Sequence, residues 1–365
     1  MLGLKSRQQL AEQYVPMADY GFFGPDSVVW KVWSYPTSFM IGFARATSIE
    51  YLDPNLAAAA MQSGGVRNRT HNRYDRTVAY FSLGVFGPAL PAVKAADVLV
   101  KVHSKAIGHD PVTGGTYDAN NPSSQLWIHM TAWHSILKAY EEFGLGKLPL
   151  DEENQYWDEC ARSAALTTID PDDVPRSRDA VREYFATWRP RLAISEDAAE
   201  EAQMILGIKA AMPPGTSRPI KAGFNMMAGL SSQAILQTYP KHIQNLIGVR
   251  PNPLLAPIVK PIIKASMRAF EVSPLAVKLS IVRLLTPSTV NTVAPMLLEI
   301  PPVSDKIWDP REAQAAAGVE TPAMAHAGLR AKQRDKVFGK GEKSSDEGLL
   351  ESQSHWGGLT NYDYA

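Results

Sequence analysis

Apolar residues along this chain recur at helical spacing, and that period constrains the fold more than any other feature. Across residues 92–107, Ala92, Ala96, Leu99, Val100, His103 and Ile107 share one face, with Lys94, Asp97, Lys101 and Lys105 mostly opposite. Three- and four-residue recurrence of this kind is the mark of an amphipathic helix. Residues 198–211 read the same way and stop before Pro213-Pro214, and Asp151-Glu-Glu places acidic groups where a helix N-terminus favours them. Few runs alternate with period two, and no Asn-Gly or Asp-Gly turn occurs. Turn chemistry concentrates instead in 108–123 and near 169–177. The expectation is an all-α fold of packed helices.

With 365 residues, 45% of them hydrophobic, the chain can bury a large core. Residues 1–301 read as one helical domain. After Pro301-Pro302 the sequence turns polar, and Arg330, Lys332, Arg334, Lys336, Lys340 and Lys343 cluster near its end. Residues 302–365 are therefore expected to form a polar C-terminal arm or tail. Its last aromatic residues, Trp356, Tyr362 and Tyr364, suit docking on the body or on a second subunit of a homo-oligomer. The first ten residues lack the apolar core of a secretory signal. The most hydrophobic region, 246–301, is broken by Arg250, Lys260, Lys264, Arg268, Glu271, Lys278 and Arg283. It reads as core-facing amphipathic helices, and its basic bias is compatible with peripheral membrane contact. A cytoplasmic protein is the expectation.

Several chemistries lack their residues. The 37 basic and 37 acidic side chains balance, which argues against a nucleic-acid partner. A single cysteine, Cys160, rules out an intramolecular disulfide and any cysteine-rich zinc or iron–sulfur centre, and its polar helical setting reads as packing. No Glu-x-x-His and no His-x-x-x-His occurs, so helix-borne di-iron and zincin sites have no paired ligands. Phosphate-binding glycine loops and a Gly-x-Ser-x-Gly elbow are missing too.

What remains lies between residues 67 and 135. On a helix, Arg73, Arg76, Thr77 and Tyr80 share a face, and arginine rising from an apolar helix needs a polar or anionic partner. His103 stands on the apolar face of its helix. It reads either as a satisfied core histidine or as the single axial nitrogen that haem iron requires, the porphyrin supplying four more. Then follows Trp127-Ile-His129-Met-Thr131-Ala-Trp133, whose rings suit a flat cofactor or simple packing.

Taken in order, Asp53-Pro, Ser63, Arg73-x-x-Arg76-Thr77, Val102-His103, Gly114-Gly-Thr-Tyr117-Asp-Ala-Asn-Asn-Pro122 and Trp127-Ile-His129-Met-Thr131 form a series. The series resembles the oxygenase family of the fungal mycophenolic-acid side-chain oxygenase and the rubber oxygenase (latex-clearing) catalytic domain. The match is close over about residues 50–190, including Tyr156 and Val174-Pro175, and holds in outline to about 300. The resemblance implies a globin-like helical core around haem b, with O2 and a hydrophobic, unsaturated substrate. It implies His103 as the iron ligand, Arg73 and Thr77 near the cofactor's other side, and His129 in the core beside it. Arg73, Arg76 and Thr77 become the candidate catalytic residues.

Two positions depart from the pattern. Arg76 stands where the rubber enzymes carry lysine, and arginine stays protonated. Those enzymes also place a glutamate one or two turns upstream as a base, where this chain reads Leu56-Ala-Ala-Ala-Ala-Met-Gln-Ser63. The departures favour, as the alternative, a non-catalytic helical haem- or lipid-binding protein on the same scaffold.

Overall fold

The computed structural model describes residues 6–62, 70–110, 112–208 and 211–344. Ser63, Arg67 and the aromatic end at Trp356–Tyr364 lie outside the described residues. Within them the helices are α1 (Arg7–Ala11), α2 (Val28–Trp33), α3 (Phe43–Glu50), α4 (Pro54–Gln62), α5 (Thr70–Phe86) and α6 (Ala89–His103). A two-stranded hairpin, β1 (Ile107–His109) and β2 (Thr116–Asp118), precedes α7 (Pro122–Phe143), α8 (Leu150–Ala164), α9 (Arg178–Trp188) and α10 (Glu196–Leu206). Then come α11 (Arg218–Thr238), α12 (Lys241–Ile247), α13 (Ala256–Glu271), α14 (Leu275–Leu285) and α15 (Val290–Leu298). Two helices, α16 (Pro310–Ala317) and α17 (Ala327–Arg334), follow in the arm. The chain is all-α, as its periodicity predicts.

Helix α7 is the central element. Asn121 caps it by accepting from the backbone N–H groups of Ser123 and Ser124, and Pro122 fills the first helical position, where no donor is needed. Its buried face carries Trp127, Met130, Trp133, Ile136, Leu137 and Tyr140. Trp33, Trp133 and Tyr156 join α2, α7 and α8: Trp33 Nε1 donates to Tyr156 Oη at 3.1 Å, and Tyr156 donates to the Trp133 carbonyl at 2.9 Å. Ahead of α3, Gly42 lets two backbones approach, since a Cβ there would lie 3.0 Å from Ile136 Cα. Helix α3 thus packs tightly along α7.

The period over 92–107 predicts a longer helix than forms. Helix α6 stops at His103: the Val100 carbonyl accepts from the Ser104 N–H and hydroxyl and from Asn120 Nδ2 (2.9 Å), and the next N–H groups, of Lys105 and Ala106, turn back to the carbonyls of Val102 and His103. Ile107, on the predicted helical face, instead opens β1, where Gly108 faces Tyr117 across the ladder. The hairpin has no short-turn signature because its connection is long. Asp110 accepts from the Val112 N–H and the Thr113 hydroxyl, and Gly114 takes a φ of +70°.

Residues 302–344 run back over the body. The backbone N–H groups of Val303, Ser304 and Trp308 donate to the carbonyls of Met17, Ala18 and Gly21, and α16 packs on α6. Gln314 Nε2 donates to the Ala165 carbonyl (2.8 Å), and Arg334 pairs with Asp118 (2.7 Å). Among the described residues no helix is long and apolar enough to cross a membrane.

Candidate active site

The motif after the hairpin is a positioning device for one imidazole. Asp118 accepts from the Asn120 N–H (2.9 Å), Asn120 holds the end of α6, and Asn121 starts α7. One turn into α7, Gln125 Nε2 reaches both the Ala119 carbonyl (2.5 Å) and His103 Nδ1 (3.2 Å). An amide N–H₂ donates to both, so Nδ1 is the accepting nitrogen as the groups stand. Burial, with Arg73 adding to it, pushes the His103 pKa down to about 4, so the ring is neutral, its Nδ1 lone pair engaged by Gln125 and its proton on Nε2.

Arg73 lies near enough to His103 and the end of α3 for its charge to be felt at both. Its charge acts on His103, on Glu50 and on Tyr51. Glu50 ends α3 and is pushed up to about 8, mainly by desolvation, which Thr131 and Arg73 only partly offset. Glu50 Oε1 lies 3.4 Å from Thr131 Oγ1, whose single proton has a better acceptor in the Trp127 carbonyl at 2.8 Å. A protonated Glu50 can donate to that hydroxyl oxygen, whereas a carboxylate gains little from it. Beside it, Tyr51 Oη donates to Glu201 of α10 (2.9 Å), and burial raises the phenol's pKa. Glu50 and His103 are strongly desolvated yet only half-buried.

The other predicted residues fall as follows. Arg73 is exposed on α5, and Arg76 and Thr77 are half-buried further along it. Neighbouring side chains fix this helix: Tyr74 donates to the Phe39 carbonyl (2.9 Å), and Asp75 accepts from both the N–H and hydroxyl of Ser288. His129 turns to a different wall. Its Nε2 donates to the Cys160 carbonyl (2.8 Å), its ring lies against Trp133, and burial lowers its pKa to about 4. It also borders a cavity of about 30 Å³, enough for one water-sized molecule, shared with Trp133, Tyr80, Ser163 and Thr167. Cys160 is fully buried, and desolvation raises its thiol pKa, which fits packing. Asp53 of the Asp-Pro pair caps α4, accepting from the N–H groups of Asn55 and Leu56.

Glu50 is the residue that reading the motifs passes over. It lies 23 positions before Arg73, and no spacing rule ties them. Its only sequence signal is that it is the one carboxylate in the mixed stretch Phe43–Leu52.

The donor set bears on which cofactor could sit here. Among the described residues, no three His, Cys, Asp or Glu side chains gather as metal ligands. A metal held by protein alone lacks its donors there, whereas haem needs one nitrogen. His103 is neutral and desolvated, but its Nδ1 accepts from Gln125, which leaves the ring proton on Nε2. Coordination through Nε2 would move that proton to Nδ1 and require the Gln125 amide to swing away, since its oxygen cannot face the Ala119 carbonyl.

No curated protein and no solved structure matches the chain. The family model described as "ER-bound oxygenase mpaB/B'/Rubber oxygenase, catalytic domain" matches residues 30–268. That span is well over half of the chain and includes Glu50, Arg73, His103 and His129. The protein therefore belongs to this oxygenase family and is an oxidoreductase enzyme.

Proposed function

We propose that the chain is a haem b-dependent oxygenase that joins O2 to a hydrophobic, unsaturated small molecule. The observation that carries the reading is the oxygenase family match over a region that holds a desolvated, neutral His103, with the charge of Arg73 acting on both His103 and Glu50. His103 would hold the iron through Nε2 once the Gln125 amide no longer donates to Nδ1. The cofactor would supply the one-electron chemistry that lets O2 react with an organic molecule.

The chain's own residues would do the rest. Arg73 brings a fixed positive charge to where oxygen becomes anionic, and Arg76 and Thr77 continue the same face of α5. Glu50, near half-protonated at about pH 8, can release and recover a proton close to physiological pH, where an ordinary carboxylate cannot. This supplies the carboxylate missing from the Leu56–Ser63 stretch and removes the main support for a non-catalytic scaffold. Arg76 keeps its charge throughout and serves as a hydrogen-bond donor rather than a base.

Oxygen uptake with a panel of unsaturated lipids and isoprenoids tests the reading. The expected result is substrate-dependent uptake that falls about a hundredfold in Glu50→Gln, the scale of losing a general base, with haem retained. No uptake by the haem-loaded protein with any unsaturated substrate would overturn it.

A further inference from the structure

From Ala202 to Phe270 the sequence contains no aspartate or glutamate, yet it holds eight lysines and arginines, in a chain whose charges balance as a whole. Helix α13 shows how this stretch is used. Val259, Ile263 and Met267 form one row and are buried in the core. Lys260, Lys264 and Arg268 form the next row at the same four-residue spacing, all exposed. A third row is apolar and also faces water: Ile258 and Ile262 are 53% and 38% exposed, and Leu254, in the turn before the helix, is 79% exposed. A helix that only packs on a core needs one apolar stripe, with polar residues opposite it. Here a second apolar stripe points outward beside a basic one. Helix α11, which packs on α13, repeats the composition with exposed Ile220 and Met226 near Arg218 and Lys221.

We infer that this surface docks on a bilayer containing anionic lipid, with α13 lying in the interface. The basic row meets lipid headgroups while the outward apolar row enters the acyl boundary. A nucleic acid would engage the basic row and leave the leucine and isoleucines in water. Each basic side chain near an anionic bilayer strengthens binding roughly fivefold. Docking is read without any activity, so its failure and that of the haem reading are separable.

Flotation of the full chain with vesicles of phosphatidylcholine alone, or mixed with phosphatidylserine, tests the inference. The expected result is binding to the mixed vesicles at least about tenfold tighter than to neutral ones, weakened by salt. Lys264→Glu with Arg268→Glu, and separately Leu254→Asn with Ile258→Asn, should each weaken it by about tenfold or more. Arg182→Glu, an exposed charge reversal on α9, should not. All these positions face water, so the variants should melt with the parent protein. Equal binding to both vesicles, or full binding by either double variant, would overturn it.

Discussion

Glu50 and His103 are held neutral by the same cause, the cost of charging a group from which protein has displaced water. For Glu50 the folded pKa of about 8 lies above the ordinary 4.5. Its contribution to stability is complete below pH 4.5 and is lost as pH rises through 8. Glutamine stays neutral throughout, so Glu50→Gln should gain on the parent protein as pH rises. The gain between pH 5 and 9 is expected to be at least about 1 kcal/mol by denaturant melts; a gap independent of pH would contradict the assignment. For His129 the sign reverses, because its folded pKa of about 4 lies below 6.5. Its contribution is present above pH 6.5 and lost as pH falls toward 4. His129→Ala removes the link to Cys160 and the contact with Trp133, and should cost about 2–4 kcal/mol while leaving haem bound. Loss of haem with unchanged stability would instead make His129 a ligand.

At the scale of elements, the helices were legible because one apolar stripe per helix is a local, periodic signal. The hairpin was not, since it rests on Asp110, Gly114 and a long connection rather than on alternation. The site was half legible. Arg73 and His103 sit in motifs, but Glu50 meets Thr131 because Gly42 lets α3 close on α7, and that contact leaves no trace in spacing. Gly42→Ala puts a methyl against Ile136 and should cost about 1–3 kcal/mol in thermal or denaturant melts. It should also shift the pH dependence of activity, because α3 carries Glu50. Asn121→Ala removes the α7 cap and should cost about 1 kcal/mol. Since Gln125 stands one turn later, haem affinity should fall with it.

At the scale of the molecule, the polar sequence after Pro301 does not mean an absence of contact. Its described part is tied to the body through Gln314, Arg334 and backbone hydrogen bonds beside Met17–Gly21. Composition missed this because the contacts use carbonyls and single apolar residues, Ala313 and Trp308 among them, rather than a continuous stripe. A chain ending at residue 301 should therefore melt several degrees lower, on the scale of a few lost hydrogen bonds and packed side chains. The whole account turns on what His103 holds. The most direct measurement is the absorption spectrum of the purified protein, with added haemin, beside that of His103→Ala. A Soret band in the parent protein, lost or shifted in a variant that still folds, is the predicted result. A protein that stays colourless with haemin, or an unchanged band in the variant, would contradict it.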